Sequence, residues 1–105
     1  MSTVAAVVVT YNRKDKLVTV LDHLLAQTRL PDWIIVVDND STDGTDKVLA
    51  RYADHDRVLV HRLPENIGGA GGFAAGMARG YELGADFVWI MDDDCYPNPD
   101  ALEEL

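Results

Sequence analysis

Three observations predict an α/β fold, a parallel sheet covered by helices on both faces. Short apolar runs alternate along the chain with stretches that carry leucines or other apolar residues at helical spacing. The runs are continuously apolar, as strands buried on both faces are. Polar residues with chemical capability gather just after the runs, and ligands bind in open parallel sheets outside the carboxyl ends of the strands.

Each element has its own justification. Val4 to Thr10 is Val-rich and reads as a buried strand. Lys14 to Gln27 carries Leu17, Val20, Leu21, Leu24 and Leu25 on one helical face. Pro31 introduces a second strand, Trp33 to Val37. Thr45 is placed to cap a helix whose inner face holds Val48, Leu49 and Tyr52. Val58 to Leu63 alternates, which predicts a third and more exposed strand. Glu65 to Gly72 has the composition of a loop, followed by a helix from about Phe73 to Leu83. Phe87 to Met91 reads as a fourth, buried strand. Asn98-Pro99 has the form of a helix cap with proline in first position, and Asp100 to Leu105 begins a helix of less than two turns. Natural domains seldom stop there, so the chain is expected to be the first part of a longer protein, or an unusually short version of one.

Composition bounds the partners. The 105 residues suffice for one small domain, and 48% apolar with 26% charged residues is ordinary globular usage. A net charge of −9 argues against nucleic acid as a partner, since phosphate contacts need Lys and Arg. From Asp86 to Leu105 every charged residue is acidic, so this end attracts a cation or a basic segment. The single cysteine, Cys95, excludes an internal disulfide and suggests a reducing compartment. No apolar stretch reaches the roughly 18–20 residues that cross a bilayer, and the N-terminus lacks a signal-peptide pattern. A cytoplasmic location is expected.

The strongest chemical signal is Asp92-Asp93-Asp94, directly after the fourth apolar run. Three adjacent carboxylates repel one another unless a cation or shared protons relieve them. Alternation along an extended chain sends Asp92 and Asp94 to one side and Asp93 to the other. Two hard oxygen ligands suit Mg²⁺ or Mn²⁺, which keep waters and share positions with phosphates. Cys95 is a poor match for such an ion because its sulfur is soft. The bland alternative is a solvated acidic turn.

Other polar groups fall at the same end of the sheet. Thr10-Tyr11-Asn12-Arg13 follows the first strand, where Tyr11 offers an aromatic face or a hydroxyl and Asn12 a turn. Asp38-Asn39 follows the second strand, placed to hydrogen-bond a base or ribose. The segment Asp38 to Gly44 is not an EF-hand loop, because loop positions 6 and 12 hold Asp43 and Leu49 instead of Gly and Glu. Asn66-Ile67-Gly68-Gly69-Ala70-Gly71-Gly72 is not the dinucleotide fingerprint and follows the third strand, yet its backbone suits close approach by an anionic ligand. Arg13 and Arg79 are candidates to meet a diphosphate or to be solvated. His23, His55 and His61 form no metal or catalytic spacing and read as surface residues.

Taken together, Val7 to Arg13, Val36 to Thr45, Asn66 with the glycine loop, and Met91 to Asp94 resemble the family 2 glycosyltransferases, inverting enzymes of the GT-A fold. The likeness spans nearly the whole chain, and the glycine loop and triple Asp are most similar to the branch of galactofuranosyl- and rhamnosyltransferases. The resemblance implies a Rossmann-like nucleotide-binding half with strand order 3-2-1-4. It implies a nucleotide-diphosphate-sugar donor, with UDP expected and dTDP the alternative. Thr10, Tyr11 and Asn12 match the segment lining the nucleoside pocket, with Arg13 beside it. Asp38 matches the family's acid after the second strand, and Asn39 stands where many members carry a second Asp. Asn66 and Gly69 fall in the ligand-facing loop. Asp92 and Asp94 match the outer acids of the D-x-D motif that holds Mn²⁺ or Mg²⁺, and Asp93 faces the sugar or ribose.

The same resemblance implies sugar transfer to a glycan or lipid-linked acceptor, at the inner face of the membrane in the parent protein. The general base is expected beyond Leu105, because Asp100, Glu103 and Glu104 come too soon. Self-association is expected through apolar surface that a missing half would cover. Two rival readings stand beside this one. One is a non-catalytic nucleotide- or metal-binding module. The other is a sugar nucleotidyltransferase, which needs a Gly-rich phosphate loop after the first strand, where this chain has Thr10-Tyr11-Asn12-Arg13.

Overall fold

A computed structural model describes residues 2–105. Seven elements follow one another: β1 (Val4–Thr10), α1 (Lys14–Leu25), β2 (Trp33–Asp38), α2 (Thr45–Ala50), β3 (Val58–Arg62), α3 (Gly68–Glu82) and β4 (Phe87–Asp92). The four strands are parallel in the order β3-β2-β1-β4, as expected. Strand order reverses at β1, so the carboxyl ends of β1 and β4 bound a crevice, the usual ligand position in such sheets.

Alternation along β1 builds two cores. Ala6 and Val8 point to one face, where they meet Leu17, Val20, Leu21 and Leu24 of α1 and Leu49 of α2. Ala5, Val7 and Val9 point to the other, beneath α3, with Ile35, Val37 and Leu63. The four α1 residues are fully buried, each worth about 1.5–3 kcal/mol against exposure. Asp32 and Asp86 accept the N–H groups of Val4 and Thr3 at 2.8 Å and so fix the start of the central strand.

Several expectations are corrected. The glycine segment is not a loop before a helix, because α3 already begins at Gly68. Gly72, Gly76 and Gly80 form its buried stripe; a Cβ on Gly76 would lie 2.3 Å from Val7 Cγ1, and one on Gly72 would lie 2.7 Å from Val9 Cγ1. They are glycines because the helix sits too close to the sheet for side chains, which composition alone reads as a flexible turn. β4 is not a buried strand. It is an edge with Phe87 60% and Ile90 48% exposed, since no further strand covers its outer side among the described residues. Thr45 does not cap α2; it is the first helical residue, behind Gly44 at φ +93°, and its hydroxyl donates to Asp43.

The last segment forms turns over Pro99–Glu104 rather than a helix. It is tied to the end of α1, which stops at Leu25 and leaves Gln27 outside. The buried Gln27 side chain donates to the Asn98 carbonyl at 2.6 Å and accepts from Leu102 N–H at 3.1 Å. His23, expected on the surface, stacks on Tyr96 with ring centroids 5.4 Å apart. No described helix is long and apolar enough to cross a membrane.

Candidate functional site

A cavity of about 500 Å³ opens at the carboxyl ends of the strands. β1 contributes Val9 and Thr10 and the loop after it Tyr11 and Arg13; β2 leads into Asn39. The start of α3 brings Asn66, Gly68 and Gly69, and β4 ends in Asp92, Asp93 and Asp94. Nine residues singled out in the sequence therefore meet in one hollow.

The acid trio is not an extended strand end. β4 stops at Asp92, and Cys95 N–H turns back to the Asp92 carbonyl at 3.1 Å. The alternation nevertheless survives: Asp92 and Asp94 are exposed, whereas Asp93 is only 4% exposed. Asp93 accepts the Thr10 hydroxyl at 3.0 Å and Arg13 Nη1 at 3.4 Å, and the same Nη1 lies 3.7 Å from Asp94. Burial pushes the Asp93 carboxyl above the ordinary carboxylate range. Thr10 and Arg13 oppose that shift, and the charges of Asp94 and Asp92 add to it.

The donors fit a hard divalent cation. Asp92 and Asp94 are exposed and line the cavity. Among the described residues no cluster of three or more His, Cys, Asp or Glu could form an all-protein cage. Mn²⁺ and Mg²⁺ do not require one, since they retain waters and share positions with substrate phosphates. Exposed Cys95 does not line the cavity.

Asn39 is buried and acts as a clasp. Its Oδ1 accepts Ile67 N–H and its Nδ2 donates to the Gly68 carbonyl, both at 3.0 Å. Asn66 Oδ1 accepts Gly68 N–H at 2.8 Å. The lip of α3 is thus held by two Asn side chains, and at position 39 an Asp could not donate to the Gly68 carbonyl. A Cβ on Gly69 would meet nothing within 4 Å, so the backbone there lies open to the cavity.

Asn12 and Asp38 are not brought to the cavity. Asn12, at φ +51°, takes Thr42 N–H at 2.7 Å on its Oδ1 and gives its own N–H to Ser41 Oγ at 3.0 Å. It staples the loop after β1 to the loop after β2. Asp38 is buried on the opposite face of β2 from Asn39, accepting Ser41 N–H at 3.0 Å beside Arg62 at 3.6 Å. Arg79 pairs with Glu82 at 3.3 Å on the outside of α3, away from the cavity. Sequence reasoning missed Arg62, which also reaches Asp40 at 3.5 Å and steadies the loop after β2. Its only signal was a position at the end of the third strand.

Comparison with known proteins agrees with this geometry. The sequence profile described as Glycosyl transferase family 2 matches residues 5–105. Galactofuranosyltransferase GlfT1 of Mycobacterium tuberculosis is 50% identical over 92 residues, 87% of this chain and 30% of the relative. The protein of the same name from Mycolicibacterium smegmatis is 45% identical over 94 residues, 90% of this chain and 30% of the relative. The chain thus spans about a third of the length of these relatives. Staphylococcus aureus TarS in complex with UDP superposes with a TM-score of 0.81 at 26% identity, over 97% of this chain and 30% of that one. Mannosyltransferase PcManGT of Pyrobaculum calidifontis, in complex with GDP-Man and Mn²⁺, gives 0.83 at 28% identity, over 96% and 30%.

Proposed function

Since the chain belongs to glycosyl transferase family 2, we propose that it forms the donor-binding part of an inverting, cation-dependent glycosyltransferase. The donor is a nucleotide-diphosphate sugar and the acceptor a glycan or lipid-linked molecule. One observation carries the reading. Asp92 and Asp94 stand exposed on the rim of a cavity whose remaining wall supplies an aromatic face, open backbone and one arginine.

The residues divide the work. Tyr11, 45% exposed, presents a ring on which a base can stack. Thr10 holds Asp93, and Asp93 in turn holds Arg13. Gly68, clasped by Asn39 and Asn66, and the neighbouring Gly69 let a ligand approach the main chain. Asp92 and Asp94 would hold Mn²⁺ or Mg²⁺, which when bound supplies positive charge to the departing nucleoside diphosphate. Asp38 and Asn12 position the neighbouring loop instead of touching the donor. UDP is the nucleotide assigned, with dTDP the alternative; the UDP-bound TarS structure supports the first.

Inversion needs a base on the acceptor side. Asp100, Glu103 and Glu104 do not line the cavity, and Glu103 accepts the Thr28 hydroxyl at 2.6 Å. On this proposal the base lies beyond Leu105. The same reading puts the parent protein in the cytoplasm, at the membrane face where lipid-linked acceptors are met.

Calorimetric titration of UDP and dTDP, with and without Mn²⁺, tests the assignment. UDP should bind only weakly without Mn²⁺ and not at all measurably to an Asp92→Asn, Asp94→Asn double variant. Binding indifferent to both ion and substitutions would leave a non-catalytic module as the better account.

A further inference from the structure

We infer that Arg13 exchanges partners: its guanidinium holds Asp93 and Asp94 across the cavity, then yields Asp94 to a divalent cation and turns to the donor's diphosphate. The inference rests on the reading of the cavity as a donor site and adds a coupling device to it.

Arg13 is the one Lys or Arg among the residues lining the cavity. Its bonds there are loose. A single nitrogen, Nη1, serves both acids at 3.4 and 3.7 Å, whereas a strong bond between a guanidinium and a carboxylate is about 2.7–2.9 Å. Its side chain is 51% exposed, so water readily replaces either partner. The backbone, by contrast, is fixed. Arg13 immediately precedes α1 and its carbonyl accepts Leu17 N–H at 2.9 Å, so the side chain moves on a stationary root.

Charge supplies the reason to move. With the trio ionised, Arg13 cancels only part of the negative charge on the rim, and Asp94 is the acid it shares with the expected cation site. A cation on Asp92 and Asp94 removes the need for Arg13 at Asp94. An incoming diphosphate then brings new negative charge beside the cavity's sole cationic side chain. Cation and nucleotide would therefore reinforce each other through Arg13, beyond their direct attraction, and linkage requires the effect to be mutual.

The test reads Mn²⁺ affinity from the electron paramagnetic resonance signal of free Mn²⁺, with and without saturating UDP, corrected for Mn²⁺ taken by free UDP. The wild-type chain, Arg13→Gln and Arg13→Lys are compared. Arg13→Gln should bind Mn²⁺ about two- to fivefold more tightly without UDP, the range expected on removing one exposed competing ion pair. Its enhancement of Mn²⁺ affinity by UDP should fall by a similar factor. Arg13→Lys, whose compact ammonium cannot form a planar fork, should fall between, and it serves alone should Arg13→Gln not fold.

An enhancement by UDP equal in variant and wild type overturns the exchange, because a stationary positive charge would shift both affinities without altering their coupling. Wild-type chain that takes up no Mn²⁺ in either condition overturns the donor-site reading itself, and the exchange with it.

Discussion

Gly76→Ala tests whether α3 sits where the packing says it does. The added Cβ would lie 2.3 Å from Val7 Cγ1 and 3.1 Å from Val37 Cγ2, both on fully buried residues of the two central strands. Neither valine can retreat, because β1 is paired on both sides. The helix must instead lift by about 1 Å, which belongs at the upper end of the roughly 1–3 kcal/mol typical of overpacking. Alanine regains up to about 1 kcal/mol of helix propensity, leaving a net loss of about 1–2 kcal/mol. Urea unfolding followed by circular dichroism measures it, and the midpoint should fall without a change in slope. Because α3 also carries Gly68 and Gly69 to the cavity, UDP affinity should weaken with it. Adding Val7→Ala should restore part of the loss, since the vacated methyls make room for the new one. A Gly76→Ala chain as stable as wild type would refute the packing argument.

Other outcomes follow from the same structure. Tyr11→Ala should weaken Mn²⁺-supported UDP binding by about 1–3 kcal/mol if the ring stacks on the base, whereas Tyr11→Phe should leave it nearly unchanged in calorimetry. Asp93 has a folded-state pKa above its unfolded value, so its stabilising contribution is present below the ordinary carboxylate range and lost as pH rises through the raised value. The stability of Asp93→Asn relative to wild type should consequently grow between pH 4 and pH 7 in urea titrations. Asp43 behaves oppositely. Partial burial pulls it up, but hydrogen bonds from the Thr45 hydroxyl and the Lys14 and Thr45 N–H groups outweigh that and hold it low. Asp43→Ala should cost about 0.5–2 kcal/mol at pH 7, as lost helix-end caps do. That difference should fade only as pH falls through the depressed value. The open edge of β4, with Phe87 and Ile90 exposed, should support concentration-dependent self-association in sedimentation, and Ile90→Lys should abolish it.

Sequence by itself determined the succession of strands and helices, the parallel sheet and the family. Continuous apolar runs, one leucine face and three polar clusters are local patterns, and local patterns survive without coordinates. It also brought most of the site into view, since β1, β2 and β4 all deliver their last residues to one end of the sheet. What it could not separate was neighbours in sequence that face opposite ways. Asp38 and Asn39 look equally suited to a ligand, yet the pleat buries one beside Arg62 and turns the other to α3.

Only the tertiary structure decided the rest. A glycine that packs and a glycine that turns are one letter, and the distance from α3 to Val7 tells them apart. A strand at the centre and a strand at the edge share one composition, and only its neighbours reveal that β4 is open. Long-range partners such as Gln27 with Leu102 and Arg13 with Asp93 are set by the folded path of the chain, a property that no short window of sequence contains.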